Sequence, residues 1–365
     1  MLLILRVGVV VIAVIAAIAP LPASWVERLY SGLAYPAWQR VATGASNAVP
    51  FALFDVLLLL VAVRVGVLLV RIVRPGARRG MRGVLAGVLA LVALAAVLYL
   101  AFLLSWGLNY RRVGLASRLD HDAGRVTAEA AVALAREMVS GANRLHDEAH
   151  RDPASWETVS ARLAPAFAGV QQQLDGRSPA RPATPKWSPL TFYFERAGVD
   201  GMTNPFFLEV LVNQQLLPFE RPAVLAHEWA HLAGYADESE ANFVGWLICL
   251  QGPPAARYSA HLAILWDLLG ALPPDERARA ARELRAGPRA DLQAVARRIA
   301  GTTPVLREVS WRVYDRYLKA NRVEAGVRSY GAALQLMLGT RIEPGWKPAL
   351  RRDTRAPLGR GDGTT

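Results

Sequence analysis

Three long apolar segments fill most of the first 105 residues of this chain. They run from about 2 to 20, 49 to 73 and 84 to 104, and only the third carries no charged residue. A helix crosses a bilayer with about 20 apolar residues. The sequence therefore predicts a membrane anchor of three transmembrane helices over 1–105, with a lipid bilayer as partner. A cleavable signal peptide would also resemble the first segment, so its retention stays open.

Arginine residues predict the orientation of this anchor. The connection between the second and third segments contains no acidic residue and five arginines: Arg71, Arg74, Arg78, Arg79 and Arg82. Such a connection is expected in the cytoplasm. We therefore expect a multi-pass protein of the cell membrane, with the residues after 105 outside the cytoplasm. Arg111 and Arg112 favour the opposite orientation, but less strongly.

The region 106–350 mixes charged and apolar residues as soluble domains do, whereas the tail 351–365 lacks apolar periodicity and is expected to be disordered. The 365 residues carry a net charge of +12. Basic and aromatic residues do not interleave, so nucleic-acid binding is not expected. The one cysteine, Cys249, excludes an intrachain disulfide and a zinc cluster built from cysteines.

Local patterns predict the elements of this region. The segment 126–143 reads as an amphipathic helix with Thr127 as its N-cap. Proline, arginine and serine residues at 175–189 indicate a surface loop. Short aromatic and β-branched runs at 190–194 and 206–212 indicate strands.

The segment from Arg221 to Gly234 carries the most specific motif, His-Glu-x-x-His. His227 and His231 are four residues apart, so on a helix both imidazoles leave the same face and can reach one zinc ion. Glu228 projects beside them, where it can accept a proton from a water molecule as a catalytic base. Pro222 and Gly234 suit the first turn and the C-terminal cap of this helix.

A third ligand is expected on the following helix, because catalytic zinc commonly has three protein ligands. Asp237 can cap that helix, and Glu240 can complete a capping box with it. Glu238 then lies in the first turn as the expected third ligand, with Asn242 one turn later to support it. Glu240 stays the alternative ligand.

The motif His-Glu-x-Ala-His followed by Glu-Ala-Asn-Phe resembles the gluzincin pattern, in which two histidines and a glutamate hold zinc. It resembles more closely an uncharacterised bacterial family of membrane-anchored zinc metallopeptidases. Further matching segments are Trp106 to Tyr110, Pro185-Lys186 and Arg257-Tyr258-Ser259. The resemblance implies a mainly α fold, in which transmembrane helices precede a zincin-like α+β domain over 106–350 with a small sheet against the active-site helix.

Two further assignments concern the substrate. Tyr258 is the expected donor to the oxyanion of the transition state, and the segment 206–213 is a candidate edge strand for an extended substrate. The histidines His121, His146 and His150 are expected at the surface. His146 and His150 also stand four apart, but no third ligand is evident in the sequence, so a second metal site is not expected.

Together these features predict a zinc metallopeptidase that hydrolyses peptide bonds in a peptide or protein substrate. A zinc hydrolase acting on amides of the cell envelope is an alternative, as is a non-enzymatic membrane protein with structural zinc. An intramembrane protease is disfavoured, because acidic residues follow the motif and the next apolar run is too short to cross a bilayer. The sequence leaves the substrate and the oligomeric state open.

Overall fold

The computed structural model describes residues 1–73, 80–151, 155–176, 178–323 and 329–351. Arg74, Arg78 and Arg79 of the predicted cytoplasmic connection lie outside these ranges, as does the tail beyond Arg351. The described part is mainly helical, as expected.

The N-terminal region contains five α-helices and a π-helical stretch among its described residues. They are α1 (Leu2–Ile18), α2 (Ala23–Trp25), the π-helix Val26–Ala34, α3 (Tyr35–Asn47), α4 (Leu53–Val73) and α5 (Met81–Ser105). Helices α4 and α5 are long and apolar enough to cross a membrane. Helix α1 would form a third span only together with Ala23–Asn47, from which it is bent by 106°. Pro20 and Pro22 lie at this bend, where proline ends a helix. The described residues therefore contain two or up to three candidate spans.

Helix α3 does not form a simple exposed connection between spans. Tyr35 donates a hydrogen bond to the carbonyl of Leu232 (2.8 Å), and Thr43 donates one to the carbonyl of Leu208 (2.7 Å). Tyr35 also belongs to the same hydrophobic core as Trp106 and the later helices. Residues on both sides of the predicted boundary at 105 thus contribute to one core.

The remaining elements follow in chain order. Three short 3-10 turns, Gly107–Arg111, Leu115–Ser117 and Ala123–Arg125, precede α6 (Ala128–His150), α7 (Trp156–Asp175), β1 (Pro185–Lys186), α8 (Thr191–Ala197), β2 (Gly201–Asn204), β3 (Glu209–Val212), α9 (Arg221–Leu232), α10 (Glu238–Leu250), α11 (Pro254–Ala271), α12 (Pro274–Glu283), α13 (Ala286–Ala300), α14 (Pro304–Ala320), α15 (Ser329–Gly339), β4 (Ile342–Glu343) and β5 (Lys347–Pro348). Thr127 caps α6 as predicted, since its hydroxyl accepts a hydrogen bond from the backbone of Ala130.

The small sheet has the strand order β1-β3-β2. Strand β1 is parallel to β3, with Pro185 opposite Val210, and β2 is antiparallel to it, with Gly201 opposite Val212. Strand β2 packs on α9. The structure thus contains a small sheet against the helix that carries the histidine motif.

Two predictions about this region are wrong. The segment 190–194 is helical in α8, where Thr191 bonds back to the carbonyl of Ser188 and Gly198, at φ +70°, ends the helix. Short aromatic runs do not distinguish a strand from a buried helix. The segment 206–213 is no edge strand either, because β3 is paired on both sides. The loop expected at 175–189 is confirmed for most of its described residues, and it contains the short strand β1 and the buried Lys186.

A buried ion pair joins this sheet to the candidate span α4. The ammonium of Lys186 lies 3.1 Å from a carboxylate oxygen of Glu209, and both side chains are almost fully buried. The same carboxylate accepts hydrogen bonds from the backbone of Leu53 (3.1 Å) and Phe54 (2.8 Å), at the start of α4. Glu209 thereby satisfies N–H groups that a helix leaves unpaired at its N-terminus.

Candidate metal centre

Helix α9 places both motif histidines on one face. It begins at Arg221 with Pro222 in its first turn, and Gly234 follows its end with φ +89°. Both features match the predicted helix, and the positive φ explains the glycine. The ring centroids of His227 and His231 lie 4.7 Å apart. The i, i+4 spacing therefore brings two imidazoles to one place.

Helix α10 brings Glu238 to the same place. Asp237 caps this helix as predicted, since its carboxylate accepts hydrogen bonds from the backbone of Ser239 (2.8 Å) and Glu240 (3.4 Å). One oxygen of Glu238 lies 3.4 Å from Nε2 of His227, and the other lies 3.6 Å from Nε2 of His231. Ligand atoms about 2.1 Å from a tetrahedral metal ion lie about 3.4 Å from one another. The three side chains form a group that could hold a metal ion.

A glycine allows the two helices to approach this closely. A Cβ atom at Gly245 of α10 would lie 2.9 Å from the backbone nitrogen of His227 and 3.0 Å from its Cα. No ordinary side chain tolerates such a distance from backbone atoms. The glycine therefore helps to set the distance between Glu238 and the histidines.

Three further groups orient this cluster. Nδ1 of His231 lies 2.8 Å from the carbonyl of Tyr235, which can only accept a hydrogen bond, so Nδ1 carries the proton and Nε2 is free to bind a metal. The indole of Trp106 donates to the carbonyl of His231 (3.0 Å). The hydroxyl of Tyr314, on α14, donates to Glu238. Tyr314 could not be predicted from the sequence, because no local pattern connects it to a residue 76 positions away.

The charges of the cluster suit a bound cation. Burial alone raises the pKa of Glu238, but His231 and His227 outweigh it and hold that pKa well below its usual range. Burial alone lowers the pKa of His231, but the Glu238 carboxylate raises it to about 9. One oxygen of Glu238 and Nδ1 of His227 are buried without a hydrogen-bond partner among the described residues. Because a buried carboxylate oxygen without a partner is costly, the residues present fit a metal ion.

Glu228 lies beside this group, and the sheet holds it. The hydroxyl of Thr203, on β2, donates to the Glu228 carboxylate (2.8 Å). A Cβ atom at Gly201 would lie 2.8 Å from the other carboxylate oxygen, so a side chain there would displace the Glu228 carboxylate. Burial raises the pKa of Glu228, although His227 and His231 oppose the shift.

Glu240, the alternative ligand, is not among the residues of this group. Its carboxylate accepts a hydrogen bond of 2.5 Å from the backbone of Leu115. The predicted capping box is therefore half formed: Asp237 caps the helix, and Glu240 binds a neighbouring turn. Burial raises the pKa of Glu240 to about 7.

The structure shows the neighbours of Asn242 and Tyr258. Asn242 lines a pocket together with His227, Trp246 and Ile264, whereas the hydrogen bond to Glu238 comes from Tyr314. The hydroxyl of Tyr258 donates to Asp291, in a second cluster of side chains. Its role as an oxyanion donor stays a prediction.

The match to a family covers this centre and most of the chain. A family profile described as "Protein of unknown function (DUF3810)" matches residues 30–338. The chain belongs to this family. The match includes α3, the segment Trp106 to Tyr110, the helices α9 and α10 that carry His227, His231 and Glu238, and α14. No match is found among curated proteins or solved structures. The description of the DUF3810 family names no activity, so the resemblance to zinc metallopeptidases stays a prediction.

Proposed function

We propose that this protein is a membrane-anchored zinc metallopeptidase. The observation that carries the proposal is the convergence of His227, His231 and Glu238 next to a carboxylate, Glu228, that is not part of the group. Three protein ligands leave a position for water, as in catalytic zinc sites, whereas structural zinc sites have four. The three-residue group of the described chain therefore favours the enzyme over a protein with structural zinc.

The proposed chemistry assigns a task to each side chain. A zinc ion held by the three ligands would supply a Lewis acid that acidifies water and polarises a carbonyl. Glu228 accepts the proton of the attacking water and transfers it to the nitrogen of the leaving amine. Burial raises the pKa of Glu228, which suits a group that must both take and release a proton. Thr203 fixes the carboxylate for this transfer.

The strand beside Glu228 supports a peptide rather than another amide as substrate. Strand β2 is at the edge of its sheet among the described strands, and its residue Thr203 contacts the proposed base. An extended peptide can add a strand to a free edge and obtain backbone hydrogen bonds there. We assign this role to β2 in place of 206–213. Amides of the cell envelope remain the second candidate substrate.

The arrangement of the helices supports the proposed orientation. Helix α3 and the residues after Ser105 are in direct contact, so they lie on the same side of α4 and α5. Arg71 lies near the C-terminal end of α4, and Arg82 lies near the N-terminal end of α5. Both arginines are therefore at the ends of these helices that are far from α3 and Ser105. The positive-inside rule then favours a metal centre outside the cytoplasm.

Glu228→Gln separates the enzyme from its rivals. We expect the purified full-length variant to keep its zinc and to lose at least about 100-fold of its activity, because a base is removed and no ligand is. His231→Ala should lose both zinc and activity, and Glu240→Gln is the matched carboxylate control that keeps both. Activity is measured on a library of quenched-fluorescence peptides and, separately, on cell-envelope amides.

Each result decides between the candidates. Peptide cleavage that depends on Glu228 supports the peptidase, and cleavage of envelope amides alone supports the second candidate. Undiminished cleavage by Glu228→Gln would contradict the mechanism. Zinc that binds without any detectable hydrolysis of either substrate class would favour the structural site.

A further inference from the structure

A second cluster of metal-binding side chains lies outside the proposed catalytic centre. His146 and His150 lie on α6, and Asp291 lies on α13. One oxygen of Asp291 lies 3.1 Å from Nε2 of His150 and 3.8 Å from Nε2 of His146. These separations are on either side of the roughly 3.4 Å expected between ligands of a tetrahedral metal ion. The three ligand atoms all lie within 4.8 Å of one another.

The other nitrogen of each imidazole has a partner that orients the ring. Nδ1 of His150 lies 2.8 Å from the carbonyl of His146, and Nδ1 of His146 lies 2.8 Å from the carboxylate of Asp147. Both partners accept hydrogen bonds, so each Nδ1 carries a proton and each neutral ring has its lone pair on Nε2. Histidines that bind metals are typically oriented in this way.

A cation between these atoms would pair the imidazoles with the carboxylate. The two Nε2 lone pairs and the Asp291 carboxylate would otherwise face each other across 3.1 and 3.8 Å. Either a proton on the imidazoles or a metal ion provides such a cation. The hydroxyl of Tyr258 donates to the same oxygen of Asp291 and holds the carboxylate in place.

Helix α13 has a gap that fits one of the histidines. A Cβ atom at Gly287 would lie 2.5 Å from Nε2 of His146. Gly287 and Asp291 are four residues apart on α13, so the glycine admits the ring on the same face that presents the carboxylate. The space left by Gly287 on α13 is thus filled by the imidazole of His146 on α6.

We propose that His146, His150 and Asp291 bind a divalent transition-metal ion, with zinc as the fitting example. Two imidazoles and one carboxylate favour such an ion over calcium or magnesium, which prefer oxygen ligands. His150 is partly open to solvent, which leaves room for water as a fourth ligand. The site is separate from the group on α9 and α10 and does not depend on the proposed function.

The ion would attach α13 to α6, and α13 contacts the elements of the first centre. Arg298 of α13 forms ion pairs with Glu220 (2.6 Å) and Asp200 (2.8 Å). Glu220 directly precedes α9, and Asp200 directly precedes β2. Metal binding at the second site should therefore stabilise the base of α9.

Zinc content of the full-length protein in detergent tests this proposal. After chelation and reloading with zinc, we expect about two ions per chain in the wild type and about one in either His231→Ala or His150→Ala. Gly287→Ala should also hold about one, since the added methyl displaces His146 while alanine is a better helix former than glycine. His121→Ala and Glu148→Gln are controls, because neither residue belongs to the cluster, and both should keep two ions.

A thermal measurement separates the second site from the first. Zinc should raise the unfolding temperature of His231→Ala, and this increase should disappear in the double variant His231→Ala/His150→Ala. The proposal is wrong if folded His231→Ala binds no zinc, or if His150→Ala and Gly287→Ala both hold as much zinc as the wild type. A cluster that carries only protons would give that second result. If the first centre bound no zinc, His150→Ala would still hold about one zinc ion less than the wild type.

Discussion

At the scale of single residues, the proposed catalytic centre depends on side chains that touch its ligands. Tyr314 donates to Glu238, and the backbone carbonyl of Tyr235 orients His231. Such contacts fix the direction of a ligand and its proton. Their loss usually weakens metal binding without removing it.

Tyr314→Phe should weaken zinc binding by about 10-fold to 100-fold, because Glu238 loses the hydroxyl that orients it. Competition with a zinc-binding dye measures the change. Tyr193→Phe is the matched control: its hydroxyl bonds to Ser310 of the same helix α14 and touches no ligand. Equal affinities for Tyr314→Phe and the wild type would show that this hydrogen bond has no part in the site.

Site residues whose position depends on local spacing along one helix could be predicted from the sequence. His227, Glu228 and His231 follow from the period of one helix, and Asp237 followed by Glu238 follows from capping chemistry. Tyr314, Thr203 and Asp291 could not be predicted, because each approaches its partner from a distant part of the chain. The third ligand of the second cluster was missed for that reason.

At the scale of elements, the distance between α9 and α10 decides whether the three ligands meet. Gly245 sets this distance, since its missing side chain lets the backbone of His227 come close. The segment Trp106 to Tyr110 supports the other end of α9, where Trp106 binds the carbonyl of His231. This contact gives the segment Trp106 to Tyr110, which directly follows the third apolar segment, a structural role at α9.

Gly245→Ala should destabilise the fold by about 1–3 kcal/mol and reduce zinc content, because the added methyl pushes the two helices apart. Thermal unfolding and zinc analysis measure both effects. Gly169→Ala in α7 is the control, since a methyl there meets no atom within 4 Å and should be neutral or stabilising. A Gly245→Ala protein with the stability and zinc content of the wild type would refute this role.

At the scale of the whole molecule, a largely buried ionic network connects the N-terminal region to the end of α9. Arg112 pairs with Glu27 (2.9 Å) and donates to the carbonyl of Gly234 (3.0 Å). Asp175 pairs with Arg118 (2.5 Å) and accepts a hydrogen bond from Tyr235 (2.8 Å). Segments far apart in the chain therefore share one set of charges.

Asp175→Asn should lower stability by on the order of 3 kcal/mol, because the buried guanidinium of Arg112 and the partly buried guanidinium of Arg118 both lose a partner. Burial raises the pKa of Asp175, but Arg112 and Arg118 outweigh it and hold that pKa below its ordinary 3.8. A lowered pKa stabilises the fold above that ordinary value, and this contribution is lost as the pH falls through the folded-state pKa.

Wild-type stability should therefore fall more steeply below about pH 4 than that of the asparagine variant. Thermal unfolding at a series of pH values compares the two proteins. Parallel pH profiles would show that Asp175 does not contribute in this way.

Labelling of single cysteines tests the proposed orientation. Cys249 is buried, so a new exposed cysteine should be the reactive one. Arg282→Cys on α12 should react with a membrane-impermeant maleimide in intact cells, whereas Met81→Cys, at the start of α5, should react only after lysis. The reverse pattern would place the metal centre in the cytoplasm.

Trp106 follows Ser105, the last residue of the long apolar helix α5, and its indole holds the carbonyl of the ligand His231. The proposed catalytic centre would thus lie close to the end of the candidate span α5, because Trp106 connects the two directly. A protein anchored nearby would present only the part of its chain at the same distance from the bilayer. The distance of a peptide bond from the bilayer would then help to determine whether it is cleaved, in addition to the amino-acid sequence around that bond.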